Sequence, residues 1–143
     1  MIRIQTQDFD VNAEIEALRN SGVGAVATFT GIVRGDDDLT ALTLEHYPGM
    51  TEREIARHFA QAQSRWALSG VTIIHRVGRL APGDNIVLVA VASAHRKAAF
   101  EACEFLMDYL KTRAPFWKRE ERAGRVEWVE AKSSDDEAAK KWR

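Results

Sequence analysis

Lys111, Arg113, Lys118 and Arg119 fall within nine residues, around Pro115-Phe116-Trp117. Two lysines separated by a rigid Pro-aromatic turn can converge on one anion. Clustered cations also lower one another's pKa, so that one amine becomes partly neutral and able to act as base or nucleophile. The same residues suit a plainer role, because cations are favoured at a helix C-terminus and aromatics after a proline close cores. A second cluster, His95-Arg96-Lys97, opens a predicted helix directly after a strand. The first helical turn presents unpaired N–H groups and positive potential, so basic side chains there are unfavourable unless an anion binds. That pattern is the signature of a phosphate site, with a solvated helix start as the alternative. Arg34 is a third candidate, at a loop edge after a buried strand, where binding residues and ordinary surface arginines both occur.

Other familiar chemistry is absent from the chain. There is no Gly-rich loop ending in Gly-Lys-Ser/Thr and no Gly-x-Ser-x-Gly elbow. His46, His58, His75 and His95 are scattered without metal-ligand spacing, so they read as structural and no metal site is expected. Cys103 lies on an apolar helical stripe and reads as core rather than nucleophile.

The elements that must carry these residues are legible from periodicity. Ile2 and Ile4 alternate with polar neighbours as in a short strand. Asp10 caps a helix with Val11, Ile15 and Leu18 on one face, and Gly22 supplies a left-handed stop. Gly24 to Val33 is a strand, with Gly31 marking a bulge or close approach. Leu42, Leu44 and His46 alternate in a half-buried strand that ends at Pro48-Gly49. Thr51 and Glu54 have capping-box spacing before a helix with Ile55, Phe59, Ala62 and Trp66 on its apolar face. Val71 to Val77 and Ile86 to Ala92 are strands flanking the turn Pro82-Gly83-Asp84-Asn85. A long helix follows Ser93, with Ala99, Cys103, Leu106 and Leu110 on one stripe, and Pro115 obliges it to stop near Arg113. Phe116 to Glu120 and Val126 to Ala131 are strands around Ala123-Gly124-Arg125, and Ser134 with Glu137 suggests a short helix in the polar tail. Short connections between strand pairs favour an α+β fold with mixed or antiparallel sheet over a doubly wound parallel one.

With 143 residues the chain fits one domain, spanning 1–143. Apolar residues make up 45% and charged residues 29%, a globular balance that excludes bulk disorder. The net charge of −1 supplies no global field for a polyanion, so no nucleic-acid partner is expected. One cysteine excludes an internal disulfide, and no signal peptide is evident. The longest apolar run is seven residues, Ile86 to Ala92, too short to cross a bilayer. The expected location is the cytoplasm.

Three segments carry a resemblance. Ala41-Leu42-Thr43-Leu44-Glu45-His46-Tyr47-Pro48-Gly49-Met50-Thr51, then Ser93-Ala94-His95-Arg96, then Met107 through Glu120 closely resemble the large, catalytic subunits of molybdopterin synthases. The likeness runs in consistent order from about Thr28 to Trp142. It implies a hammerhead-like α+β fold and a sulfurtransferase that converts cyclic pyranopterin monophosphate into molybdopterin by inserting the two dithiolene sulfurs. It also implies a partner, a small ubiquitin-like subunit carrying sulfur as a C-terminal Gly-Gly thiocarboxylate, with two large subunits dimerised between two small ones in a heterotetramer. No cofactor or metal is implied for this step.

The lysines implied in catalysis are Lys111 and Lys118. The implied substrate-binding positions are Ile32, Val33, Arg34, His95, Arg96, Lys111, Lys118, Arg119 and Glu120, so the three clusters are expected to form one site. Lys132 stands where relatives often carry Arg, and nothing is carried over before Gly22. Two other classes fit some of the residues. A small RNA-binding domain would stack bases on Phe116 and Trp117, against which the net charge and the lack of an RNP-like aromatic strand argue. A module sensing a phosphorylated metabolite would use Arg34, His95 and Arg96 but would not require two lysines flanking the Pro-aromatic turn.

Overall fold

The computed structural model describes residues 1–36 and 38–129 together with Lys140 and Trp142. The elements run β1 (Ile2–Gln5), α1 (Val11–Leu18), β2 (Ala25–Ile32), β3 (Leu39–His46), α2 (Met50–Arg65), β4 (Gly70–Arg76), β5 (Gly78–Leu80), β6 (Asn85–Ser93), α3 (Arg96–Thr112), β7 (Phe116–Arg122) and β8 (Arg125–Val129). They form two four-stranded sheets, ordered β1-β4-β6-β2 and β5-β3-β7-β8. β1 pairs with β4 in parallel and every other strand pair is antiparallel, which is the expected α+β architecture with mixed and antiparallel sheet.

The first sheet is covered on both faces. Ile73, Val87, Val89 and Val91 join the main core with Ala99, Cys103 and Leu106 of α3, while Ile74, Leu88 and Ala90 form a smaller cluster against Phe9, Val11 and Leu18. A strand buried on both sides reads as a continuous apolar run rather than an alternating one, which explains Ile86 to Ala92. The inward side chains of the second sheet, Leu42, Leu44 and Leu80, join the same main core. Gly31 sits at the register shift between β2 and β6, where an added Cβ would lie 2.7 Å from Val87 Cγ1; the close approach read from the sequence is real.

Four local expectations are corrected. Gly22 is not a left-handed stop: positive φ occurs at Gly49, Gly78, Gly83 and Gly124. α1 ends because Arg19 turns extended, and Asn20 Oδ1 then accepts from the Gly22 N–H at 2.9 Å. The helix-capping residue of α2 is Gly49 (φ 87°), whose N–H donates to Glu52 Oε1 at 3.0 Å. Thr51 is buried instead, accepting from the Tyr47 N–H at 2.9 Å and donating to the Pro115 carbonyl at 3.1 Å. β3 is buried continuously from Ala41 to Leu44 rather than half-buried. The Arg79–Glu121 ion pair (3.1 Å) links the two strands flanking β3, Arg79 lying opposite Thr43 and Glu121 opposite Ala41. A short strand, β5, also occupies the loop before Pro82. The tail helix at Ser134, the end of the last strand beyond Val129, and Lys132 lie outside the described residues.

Candidate active site

α3 carries the two candidate clusters at its two ends. Its capping residue is His95, with no side-chain hydrogen bond to the first turn, no acid in that turn, and His95 and Arg96 both exposed. The basic helix start is therefore present as expected. At the other end Lys111 occupies the last turn, and the N–H groups of Arg113 and Ala114 both close on the Tyr109 carbonyl, at 2.8 and 3.2 Å. Pro115 then turns the chain into β7, and the Thr51 hydroxyl holds its carbonyl.

Within β7 the pleat sorts the remaining candidates. Residues two apart share a face, so Phe116, Lys118, Glu120 and Arg122 point one way and Trp117, Arg119 and Glu121 the other. Lys118 lies opposite Leu44 and Val129, whereas Arg119 lies opposite Thr43 and Trp128, its guanidinium 6.0 Å from the Trp128 ring centroid. Strand geometry therefore places Lys118 and Arg119 on opposite faces of β7. The Tyr47 ring meets the Trp117 ring in a tilted contact, with centroids 5.1 Å apart and planes at 57°.

His75, near the end of β4, stacks on Phe116 with ring centroids 3.9 Å apart and planes 16° from parallel. Burial, which outweighs the hydrogen bond to the Arg76 carbonyl, together with the charges of Lys111, Lys118 and His46, pushes its pKa down to about 4. The charges that reach this one neutral histidine thus come from the end of α3, the start of β7 and the end of β3. The sequence carries no signal of this neighbourhood for His75 or His46, since nothing local in a strand announces a long-range neighbour.

Arg34 is exposed and pairs with Asp36 at 3.3 Å. Ile32 is 55% exposed, but Val33 is a core residue whose backbone bonds to Asp84 and Gly83. Arg122, missed at the sequence level, ties the loop after Arg34 to β7. Its guanidinium reaches Asp36 (3.3 Å), Asp38 (3.5 Å) and Glu120 (3.3 Å). The acidic Asp36 and Asp38 were the available signal, a charge cluster requiring a cation.

A single chain does not unite all three clusters. Fifteen residues of helix separate Arg96 from Lys111, about 22 Å at 1.5 Å per residue. β2 and β6 run antiparallel, with Ala25 opposite Ser93 at one end and Ile32 opposite Asn85 at the other, so Arg34 and His95 lie at opposite ends of the sheet. Cys103 Sγ donates to the Val89 carbonyl at 3.8 Å, which sets the middle of α3 over the middle of β6 and brings Lys111 to the Arg34 end. Arg34, Lys111, Lys118 and Glu120 share that end; His95 and Arg96 do not. A cavity of about 230 Å³, lined among others by His58, Arg65, Phe105, Tyr109 and Trp142, includes Arg113 of the first cluster but none of the implied catalytic or substrate-binding residues. Among the described residues no group of three or more His, Cys, Asp or Glu is arranged to hold a metal.

Residues 4–113 match the family described as MoaE protein. The chain belongs to the MoaE family. A molybdopterin synthase catalytic subunit of Mesorhizobium japonicum is 60% identical over 147 residues, 99% of this chain and 92% of that protein. The MoaE structure from Burkholderia ambifaria superposes with a TM-score of 0.84 at 53% identity, covering 99% of this chain and 96% of that one. A Helicobacter pylori structure, described as a complex of subunits 1 and 2 of molybdopterin-converting factor, shares the fold at TM-score 0.78 and 21% identity over 90% of each chain. This MoaE chain is accordingly an enzyme subunit of molybdenum-cofactor biosynthesis, which sets aside the RNA-binding and metabolite-sensing alternatives. No helix among the described residues is long and apolar enough to cross a membrane.

Proposed function

We propose that this MoaE chain transfers two sulfurs from the C-terminal thiocarboxylate of a small ubiquitin-like partner to cyclic pyranopterin monophosphate, with Lys111 and Lys118 as the catalytic residues. The observation that supports the assignment is their placement: Lys111 sits in the last turn of α3, the turn at Pro115 returns the chain into β7, and Lys118 follows on the same face of that strand as Phe116, which stacks on the buried ring of His75. The substrate's phosphate and the attacking thiocarboxylate are both anionic. A pair of ammonium groups offsets their repulsion and stabilises charge that develops in the transition state. The lysines share two tasks, holding the terminal carbonyl of the partner's tail and moving protons at the carbons being thiolated.

Arg34, at the same end of the fold as the lysines, binds phosphate, and Glu120, on the Lys118 face, orients neighbouring donors. His95 and Arg96 are too far away to serve the lysines of their own chain, so in the homodimer they complete the site of the second copy. A lone buried cysteine fits action in the reducing cytoplasm. The test is incubation with thiocarboxylated partner and cyclic pyranopterin monophosphate, read by mass spectrometry. Dithiolene product is expected from the wild type and not from Lys111→Ala or Lys118→Ala; full activity in both variants would overturn the site.

A further inference from the structure

His75 is 7% exposed at the end of a central strand, with Ile4 and Val87 as its apolar neighbours across β1 and β6. Its Nδ1 lies 2.8 Å from the Arg76 carbonyl oxygen. A carbonyl only accepts, so Nδ1 carries the proton and Nε2 of the neutral ring is left as a lone pair. The charged or titratable groups acting on the ring come from three other elements: Lys111 of α3, Lys118 of β7 and His46 of β3. Phe116, on which the ring stacks, is the first residue of β7 and lies opposite His46. The ring is thus where the first sheet touches the strand that delivers Lys118.

We infer that His75 is a positioning residue for the lysine pair: its stack on Phe116 fixes the start of β7, and its Nε2 supplies an uncharged acceptor among the ammonium groups. This rests on the assignment of Lys111 and Lys118 as catalytic. An uncharged acceptor stabilises the protonated amines, whereas a protonated imidazole would add another cation to the pair. A phenylalanine at this position keeps the stack and removes the lone pair, which separates the two contributions.

Two experiments on the full-length chain test the inference. In the first, ¹⁵N NMR of the wild type should show the Nδ1–H tautomer for His75 and a titration midpoint well below that of an ordinary histidine. By reciprocity of coupling, Lys118→Ala should raise that midpoint. A Nε2–H tautomer, or a midpoint indifferent to Lys118, overturns the inference without any activity measurement. In the second, His75→Phe with the thiocarboxylated partner should lower kcat about tenfold with KM within about twofold, and shift the alkaline limb of the pH–rate profile to lower pH. Wild-type kcat with an unmoved limb overturns it. If Lys111→Ala and Lys118→Ala instead stay active, the catalytic assignment itself has failed, and that result is distinguishable because the NMR coupling would still be present.

Discussion

The separation of about 22 Å between Arg96 and Lys111 along α3 has a quantitative consequence in mixed dimers. Take one variant, Lys118→Ala, that lacks one of the two proposed catalytic amines, and a second, His95→Ala/Arg96→Ala, that lacks the basic helix start. Each alone should be severely impaired, the second by about tenfold or more for each charge-assisted phosphate contact removed. When the two are unfolded together and refolded in equal amounts, half of the dimers pair one chain of each kind. In such a dimer the intact Lys118 of one chain meets the intact His95 and Arg96 of the other, completing one site; the second site lacks both contributions. Half of the sites in half of the dimers are restored, so activity should recover to about one quarter of the wild-type value. If instead each site is built within one chain, no mixed dimer contains an intact site. Dithiolene formation measured by mass spectrometry against the unmixed variants separates the two cases, and activity no higher than the unmixed controls refutes sharing of the helix start between copies.

The lysine variants taken singly should lose about 10²–10⁴-fold in rate, the range of a general acid or base, while thermal melting shifts little because half-exposed lysines contribute little to a core. A melting point that falls in step with activity would return Lys111 to the role of a helix-end cation. Burial pushes the Cys103 thiol up to about 11, so alkylation at pH 8 should be slow in the native protein and fast in denaturant; rapid native labelling would contradict its place in the core. The depressed His75 pKa, about 4, also couples folding to pH. Below about pH 6.5 the unfolded chain binds a proton that the folded ring refuses, so stability present above that pH declines as pH falls toward 4, by up to about 3 kcal/mol. Urea titrations across that window should show the decline, and a smaller slope in His75→Phe; equal slopes would show that other groups carry it.

Local structure was legible wherever a short-range rule governed it. The stripe Ala99, Cys103, Leu106 and Leu110 and the block at Pro115 placed α3 and its end, and Gly124, at φ 76°, closes the β7–β8 turn as its residue type demands. The unbroken apolar run of β6 announced burial on both faces. Gly22 and the Thr51-Glu54 pair misled because capping residues are recognised by spacing alone, and Pro48-Gly49 offered a competing start that released Thr51 to bond the Pro115 carbonyl.

By itself the sequence marked the candidates for chemistry: cations bracketing a Pro-aromatic turn, a basic helix start, and an arginine at a loop edge, together with the motifs of the MoaE family. Which of them meet was decided by tertiary structure. The pleat of β7 turned Arg119 away from Lys118, and the antiparallel run of α3 over β6 put Arg96 at the end opposite Lys111. The packing of two sheets brought His75 to Phe116, and a guanidinium from β7 gathered the acids of a distant loop. Helical and strand periods are properties of neighbours in the chain, whereas these contacts join residues tens of positions apart, and only the packing of the finished core sets their distances.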